Sequence, residues 1–460
     1  MQKNLFYGSL MDMLDSKDPL VVLADTIKWS KFEDEFAQYY SKEGRPAKPI
    51  RLMVGLLLLK QLENLSDENV VIAWKRNPYF QYFCGFSDFQ TALPCHSTDL
   101  VYFRNRIGKK GFEFIFKHSI EIHSNENLNE SQVIADTTIQ ESNLTYPTDG
   151  KLAIKIINHL HKIVKVENIK LRRSYIKEIK QHRINLRFFR HPKKIIKAKA
   201  SMKRLRTIAK TILRDIDRKF GDNLELHNKY ATKFYLYIRV LLQEKNTKNK
   251  IYSLHEIDAY AVNKGKDHKG YEYGTKASVV TTKNSGIIVG VSAHRENEHD
   301  SKTLKLALEN TISNLGSKTI NEVICDRGYR GSKQIIINNE TVIDISIPSN
   351  QQKKDTPEQI NIKKEKFRRR AAIEPIIGHL KSDHRMQRNY LKGFIGDQIN
   401  LLLAATAFNL KKWMNIYFYA FFTGNLSLLK EAYQQLQHQK ELIMFLLQLE
   451  ITMKFSNLDY

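Results

Sequence analysis

Residues 151–250 hold 29 Lys/Arg against 7 Asp/Glu, a net of +22 in a chain whose total is +25. Few structures accommodate such a block. A sheet core would bury the charges. A disordered tail would lack the Ile, Leu and Phe that recur at helical spacing through "RRSYIKEIKQHRINLRFFRHPKKIIKAKASMKRLR". The block therefore predicts helices with a packed apolar face and a basic face. Such a face suits a nucleic-acid backbone, whose condensed counterions it releases on binding. A face that served solubility alone would mix in more acids.

The block interrupts a different pattern. "VIADTTIQ", beginning at Val133, is rich in Val, Ile and Thr and reads as a strand. Strand signals return at 251–295 in "IYSLHEIDAYAV", "YEYGTKASVVTT" and "GIIVGVSAHR", the last pair joined by a turn at "KNSG". "DSKTLKLALENTISNL" follows as a helix capped by Asp300 or Ser301, and "EVICDRGY" and "TVIDISIP" add two strands. This order indicates a mixed α/β sheet with a long basic helical insertion after its first strand.

Upstream, residues 47–125 read as helices. "RLMVGLLLLKQLENL" is apolar-rich, and Ser66 and Ser97 mark the starts of two further helices. Lys75, Arg76, Arg104, Arg106, Lys109 and Lys110 on short helices resemble a helix-turn-helix layout. An ordinary bundle with solvated cations fits the same residues equally well.

Other classes are disfavoured. Three cysteines, Cys84, Cys95 and Cys325, are odd in number and lack zinc spacing. "MQKNLFYGSLMDMLDSKDP" has no apolar core of signal-peptide length. "INLLLAATAFNLKKWMNIYFYAFF" is broken by Asn409, Lys411 and Lys412, so it reads as a buried helix rather than a membrane span. A soluble cytoplasmic protein is expected.

Three carboxylates stand out. Asp136 sits in apolar "VIADTTI", Asp326 ends "EVICD", and Glu374 lies in "FRRRAAIEPIIGHLK". Phe367, Arg370, Glu374 and Lys381 fall on one helical stripe, provided that Pro375 does not start a new helix and break it. Clustered carboxylates repel unless a divalent cation holds them charged. Two Mg²⁺ ions about 4 Å apart suit in-line displacement at phosphorus, with Arg370 and Lys381 neutralising phosphate charge. Asp258, in "LHEIDAYAV", competes with Asp136 as first carboxylate, and periodicity does not separate them. Asp344 is a further rival with a structural reading.

"VIADTTIQESNLTYPTD", "VICDRGYRG" and "FRRRAAIEPIIGHLKSDHRM" resemble the three catalytic segments of DDE transposases of bacterial insertion sequences, specifically the IS-five family. That group carries Y-x2-R-x3-E-x6-K; Arg370, Glu374 and Lys381 match it, and Phe367 stands where the tyrosine would be. "HLKSDHRMQRNYLKG", "ENEHDSKTL" and the N-terminal "PAKPIRLMVGLLLLKQLENLSDENVVIAWKRNPYFQYFCG" extend the similarity. The resemblance implies an RNase-H-like catalytic fold with Asp136, Asp326 and Glu374 binding Mg²⁺, for which Mn²⁺ can substitute. It selects Asp136 over Asp258. It also implies recognition of terminal inverted repeats on the element's own DNA.

The expected organisation is an N-terminal helical DNA-binding domain at 1–130. A catalytic domain follows at 131–150 and 251–415, split by the basic helices at 151–250, and a C-terminal helical segment at 416–460. Arg172, Arg173, Lys193, Lys194, Lys203, Arg204, Arg206, Arg327, Arg370 and Lys381 are the candidate DNA contacts. The partners expected are double-stranded DNA, as element ends and target site, and a second copy in a homodimer on DNA, with no membrane. The rival functions are a catalytically inactive DNA-binding repressor and a nuclease without joining activity.

Overall fold

A computed structural model describes residues 9–41, 43, 47–123, 128–189, 191–244, 246–266, 269–316, 320–331, 333–338, 341–348 and 355–418. The chain divides into two units. One comprises residues 1–107, 114–125 and 406–460; the other comprises 108–113 and 126–405. The expected segment 416–460 lies almost wholly outside the described residues.

The first unit is helical: α1 (Leu10–Met13), α2 (Pro19–Thr26), α3 (Trp29–Ala37), α4 (Ile50–Leu62), α5 (Asp67–Arg76), α6 (Pro78–Phe83) and the start of α7 (Ser97–Glu121). Caps set these boundaries. Ser66 accepts from Asn69 N at 3.1 Å, as its position before an apolar run predicts. Asn77 ends α5 and caps α6, whose first residue is Pro78. For α7 the cap is His96, paired reciprocally with Asp99, one residue before the expected Ser97. Helix α4 is buried all round, which suits a helix at the centre of a bundle.

One of the cations grouped in the helix-turn-helix reading proves structural. Arg104 is buried and grips both oxygens of Asp67 at 2.9 and 2.6 Å, while buried Lys60 reaches the same carboxylate at 2.8 Å. Arg106 stacks over the ring of Tyr40.

The second unit is built on a mixed sheet. Its strands are β1 (Gln132–Ser142), β2 (Tyr260–Lys266), β3 (Lys269–Thr282), β4 (Ile288–His294), β5 (Glu322–Ile324), β6 (Gln334–Ile337), β7 (Thr341–Ser346) and β8 (Arg388–Asn389). β1 pairs antiparallel with β3 along one edge and parallel with β5 and then β8 along the other. β3 carries β2 and β4 on its far edge, and beyond β5 come parallel β7 and antiparallel β6. Gly274 permits the β1–β3 pairing, because a Cβ there would stand 2.0 Å from the Gln140 carbonyl oxygen.

Between β1 and β2 the described residues form four helices, α8 (Asp149–Val166), α9 (Ile176–Leu186), α10 (Ile195–Phe220) and α11 (Leu224–Leu242). They share an apolar core that includes Ile156, Leu160, Leu205, Ile212, Ile216 and Phe234. After β4 comes α12 (Asp300–Leu315), capped by His299 rather than by Asp300 or Ser301. Then follow α13 (Pro357–Ala371), α14 (Ile373–Ser382) and a helix at 393–418.

The strand expected from Ile251 begins only at Tyr260. Residues 251–259 form loop and turn, with Ser253 Oγ accepting from His255 and Glu256 backbone N–H groups. In the first unit, Asn409 of the 393–418 helix accepts at its carbonyl from His123 Nε2 and donates to Ser119 Oγ. Of the apolar stretch expected to be a buried helix, residues 399–410 are largely buried, residues 411–418 continue the helix half-buried or exposed, and residues 419–422 lie outside the described residues. Among the described residues no helix is long and apolar enough to cross a membrane.

Candidate active site

The sheet places two of the sequence-read carboxylates side by side. β1 and β5 run parallel with Ile134 opposite Ile324. Asp136 and Asp326 each stand two residues further on, so both return to the face that carries those isoleucines. On that face Ile134 and Ile324 pack with Ile373 and Ile377 of α14. Glu374 is the neighbour of Ile373, so the apolar contact that docks the helix also brings its carboxylate to the acidic end of the strands.

Arg370 joins the three. Its guanidinium lies 3.0 Å from Glu374 Oε1, 3.9 Å from Asp136 Oδ2 and 3.9 Å from Asp326 Oδ2. The first is a hydrogen-bonded ion pair at helical spacing; the other two are electrostatic contacts. A new helix does begin near Pro375, two residues before it. Helix α13 ends at Ala371 and α14 begins at Ile373, which puts Pro375 in a first turn that needs no N–H donor from it. Ala372 nevertheless keeps right-handed helical dihedrals, so the Arg370–Glu374 pair survives the junction. Phe367, at the tyrosine position of the motif, is 39% exposed.

Local hydrogen bonds orient the carboxylates. Asp136 Oδ1 accepts from Thr137 N at 2.7 Å, and Asp326 Oδ1 accepts from Gly328 N at 2.8 Å in the turn after β5. Cys325 between them is buried, and burial pushes its thiol far above the usual range, so it remains protonated. The rivals lie elsewhere. Asp258 is exposed in the turn before β2. Asp344 is exposed on β7 and accepts from Gln334 on β6 at 2.7 Å.

The pattern of the sequence did not reveal four residues in this corner. Asp300 accepts from Thr137 Oγ1 and from Lys276 Nζ, and Tyr329 is buried beside Asp326. Thr137 follows Asp136 directly and Tyr329 closes "DRGY"; these adjacencies were the available signals.

Among the basic candidates, Lys193, Lys203 and Arg327 are exposed, and Lys194 lies over the Phe188 ring at 4.4 Å. Arg173 and Arg204 both engage Glu178, at 3.4 and 2.6 Å, while Arg172 pairs with Asp215 at 3.7 Å. Arg206 is committed otherwise: its guanidinium donates to the Leu241 and Gln243 carbonyls at 2.8 Å each, closing the end of α11. Lys381 lies two turns beyond Glu374 on α14 and is half-buried.

Three carboxylates around one cation offer hard oxygen ligands of the kind that Mg²⁺ and Mn²⁺ prefer. Among the described residues no three His, Cys, Asp or Glu side chains are close enough to hold a metal as they stand. The positive charge that holds this carboxylate set is supplied by Arg370.

Comparison with known proteins finds two family matches. Residues 8–106 match the Transposase domain (DUF772) family, and residues 246–410 match the Transposase DDE domain family. An uncharacterized protein, ORF8 in the nfe locus of Rhizobium meliloti, is 38% identical over 194 residues, covering 41% of this chain and 94% of that protein. No solved structure matches. The chain belongs to the DDE transposases. It is therefore a DNA transposase, an enzyme of the nuclease and transferase type. Asp136 and the helices α8–α11 lie outside both family matches.

Proposed function

We propose that this transposase, of the IS-five type, binds the terminal inverted repeats of its own insertion sequence. It hydrolyses phosphodiester bonds there and transfers the freed 3′-hydroxyl ends to target DNA in the cytoplasm. The observation that carries the reading is the convergence of Asp136, Asp326 and Glu374 on one guanidinium. An RNase-H-like fold is supported by the strand order β4-β3-β1-β5-β7, with an antiparallel hairpin on one side of β1 and parallel strands on the other.

Asp136, Asp326 and Glu374 would hold divalent cations, Mg²⁺ or Mn²⁺, which when bound supply Lewis acidity to the attacking and leaving oxygens. The protein's own groups do the rest. The β1–β5 register fixes two carboxylates on a rigid sheet, and α14 delivers the third. Arg370 balances their charge in the free protein and lies where a phosphate oxygen would meet its guanidinium fork. Lys381, on the same helix, adds a second cation for the DNA strand. The four helices α8–α11 form the insertion and hold DNA through their exposed cations, and the N-terminal helices form the other DNA-binding domain. A homodimer would bring two ends together.

Asp136→Asn, Asp326→Asn and Glu374→Gln should each lower nicking of inverted-repeat DNA at least a hundredfold in Mg²⁺, with end binding kept in a mobility-shift assay. Retained cleavage removes that residue from the triad. Absence of strand-transfer products in the native protein would leave a nuclease, and absence of nicking would leave a DNA-binding repressor.

A further inference from the structure

Helix α11 carries two apolar faces. One is buried: Tyr230, Phe234, Tyr237, Val240 and Leu241 enter the core shared by α8–α11. The other is open. Leu224, Asn228, Ala231, Tyr235, Ile238 and Leu242 are all exposed. Its four large apolar side chains, Leu224, Tyr235, Ile238 and Leu242, are 75%, 64%, 43% and 61% exposed. Spacings of four, three, four, three and four put the six on one stripe of the helix, about 27 Å long at 1.5 Å per residue. A large apolar side chain exposed singly is ordinary. A continuous row of this length is the pattern of a helix–helix seam. The row contains no Lys or Arg, so it lacks what a DNA backbone would contact.

The symmetry of the row indicates its occupant. When a second copy of α11 is laid antiparallel about the level of Lys233, the row meets itself. Leu224 faces the second copy's Leu242, Asn228 faces its Ile238, and Ala231 faces its Tyr235. The small Ala231 leaves room for the ring opposite. Lys233 is on the other side of the helix, with its ammonium 5.6 Å from the Tyr230 ring centroid, so like charges do not meet on the axis.

Charge points the same way. Beside the row, Glu225, Thr232 and Arg239 recur every seven residues and are exposed. This flanking line has an acid at one end, a base at the other and a neutral residue at its centre. An antiparallel copy brings Glu225 close to the second copy's Arg239, twice over. A parallel copy would set acid against acid and base against base. The helix dipole favours an acid at the start and a base at the end of any helix, but it does not place an apolar row beside them.

We propose that α11 is a self-association face, on which a second copy of this chain docks its own α11 antiparallel. Such an interface uses the same patch on both copies and closes at two. The inference rests on the homodimer reading above and names the surface that forms it.

Sedimentation equilibrium of the full chain, without DNA and at low salt, tests it. The native chain should be dimeric at about 10 µM. Ile238→Asp, which sets carboxylates into the seam, should weaken the dimer at least about a hundredfold. Its unfolding temperature should match the native one at a dilution where both are monomers, since Ile238 lies outside the core. Glu225→Arg and Arg239→Glu should each weaken the dimer about tenfold, and the double variant should return to within about twofold of native. A monomeric native chain, or an Ile238→Asp dimer of native strength, overturns the inference. A double reversal as weak as either single one overturns the antiparallel docking. A monomeric chain that Ile238→Asp makes easier to unfold would mean that another part of the same chain covers the row, which also overturns it. No DNA enters these measurements, so failure here leaves the nicking reading and its own variants standing.

Discussion

Asp397 shows what one buried carboxylate does to this fold. It is 4% exposed and accepts from Thr275 Oγ1 at 2.5 Å and Asn389 Nδ2 at 2.7 Å, while its backbone oxygen accepts from Gln140 Nε2 at 3.0 Å. It thereby ties β3, β8 and β1 together. Burial pushes its pKa up to about 6 despite the hydrogen bonds that favour the ion, and Glu256 and Asp258 add to the rise. The folded pKa lies above the unfolded value of about 3.9. The folded state therefore binds the extra proton, and the group's contribution to stability is greatest below pH ~4 and is lost as pH rises through 6. The difference amounts to roughly 3 kcal/mol. Asp397→Asn removes this dependence. Urea unfolding of both proteins at pH 4 and pH 7.5 should show the native chain losing ground to the variant by about that amount. A pH-independent difference would mean that Asp397 stays ionised throughout. Side chains of this kind could not be ranked from sequence. Asp136 and Asp258 both lie near apolar, β-branched residues, and alternation tells which face a residue takes, not which strand lies beside it. The parallel register of Ile134 with Ile324, a contact across 190 positions, is what separates them, so only the resemblance to a known motif selected Asp136.

Segments with strong local signals form where the sequence places them. Ser66 caps α5, "YEYGTKASVVTT" and "GIIVGVSAHR" become β3 and β4, and Pro375 falls in the first turn of α14. The strands β6 and β8 carried no such signal. β8 is two residues long, and its pairing depends on where β1 already lies. Buried charge was equally illegible, since Arg104 looks like any helix-surface cation. Its partner Asp67 is opposed in ionising by burial, yet the hydrogen bond from Arg104 and the charge of Lys60 outweigh this and hold its carboxyl below the usual range. Asp67→Ala would leave Lys60 and Arg104, 8% and 5% exposed at their side chains, without their counter-ion. A loss of about 3–5 kcal/mol of stability is expected in denaturant unfolding. Replacing all three with apolar residues of similar size should recover most of it. A loss below about 1 kcal/mol for Asp67→Ala would show that water reaches these cations and that they behave as surface charges.

Across the whole molecule, net charge is concentrated in one helical block, and the block has a core of its own. Its cations therefore divide by role. Arg206 closes α11, Arg204 and Arg173 share Glu178, and Lys193, Lys194 and Lys203 project from the start of α10 and the turn before it. Composition gave the sum of these charges but not the division, which depends on which carbonyls and acids the folded helices bring near. The division makes the DNA-binding role testable. If Lys193, Lys194 and Lys203 each meet a phosphate, changing all three to Gln should reduce the slope of log affinity against log salt by about 2.7, that is about 0.9 per contact. Affinity at low salt should fall for specific and non-specific duplexes alike, since phosphate contacts carry no sequence. Arg206→Gln supplies the contrast: it removes the same charge from the same segment, but its guanidinium is bound to backbone carbonyls, so unfolding should come earlier while the salt slope holds. A triple variant with an unchanged slope would mean that DNA does not lie on this face, and that its charge serves only to keep α8–α11 solvated.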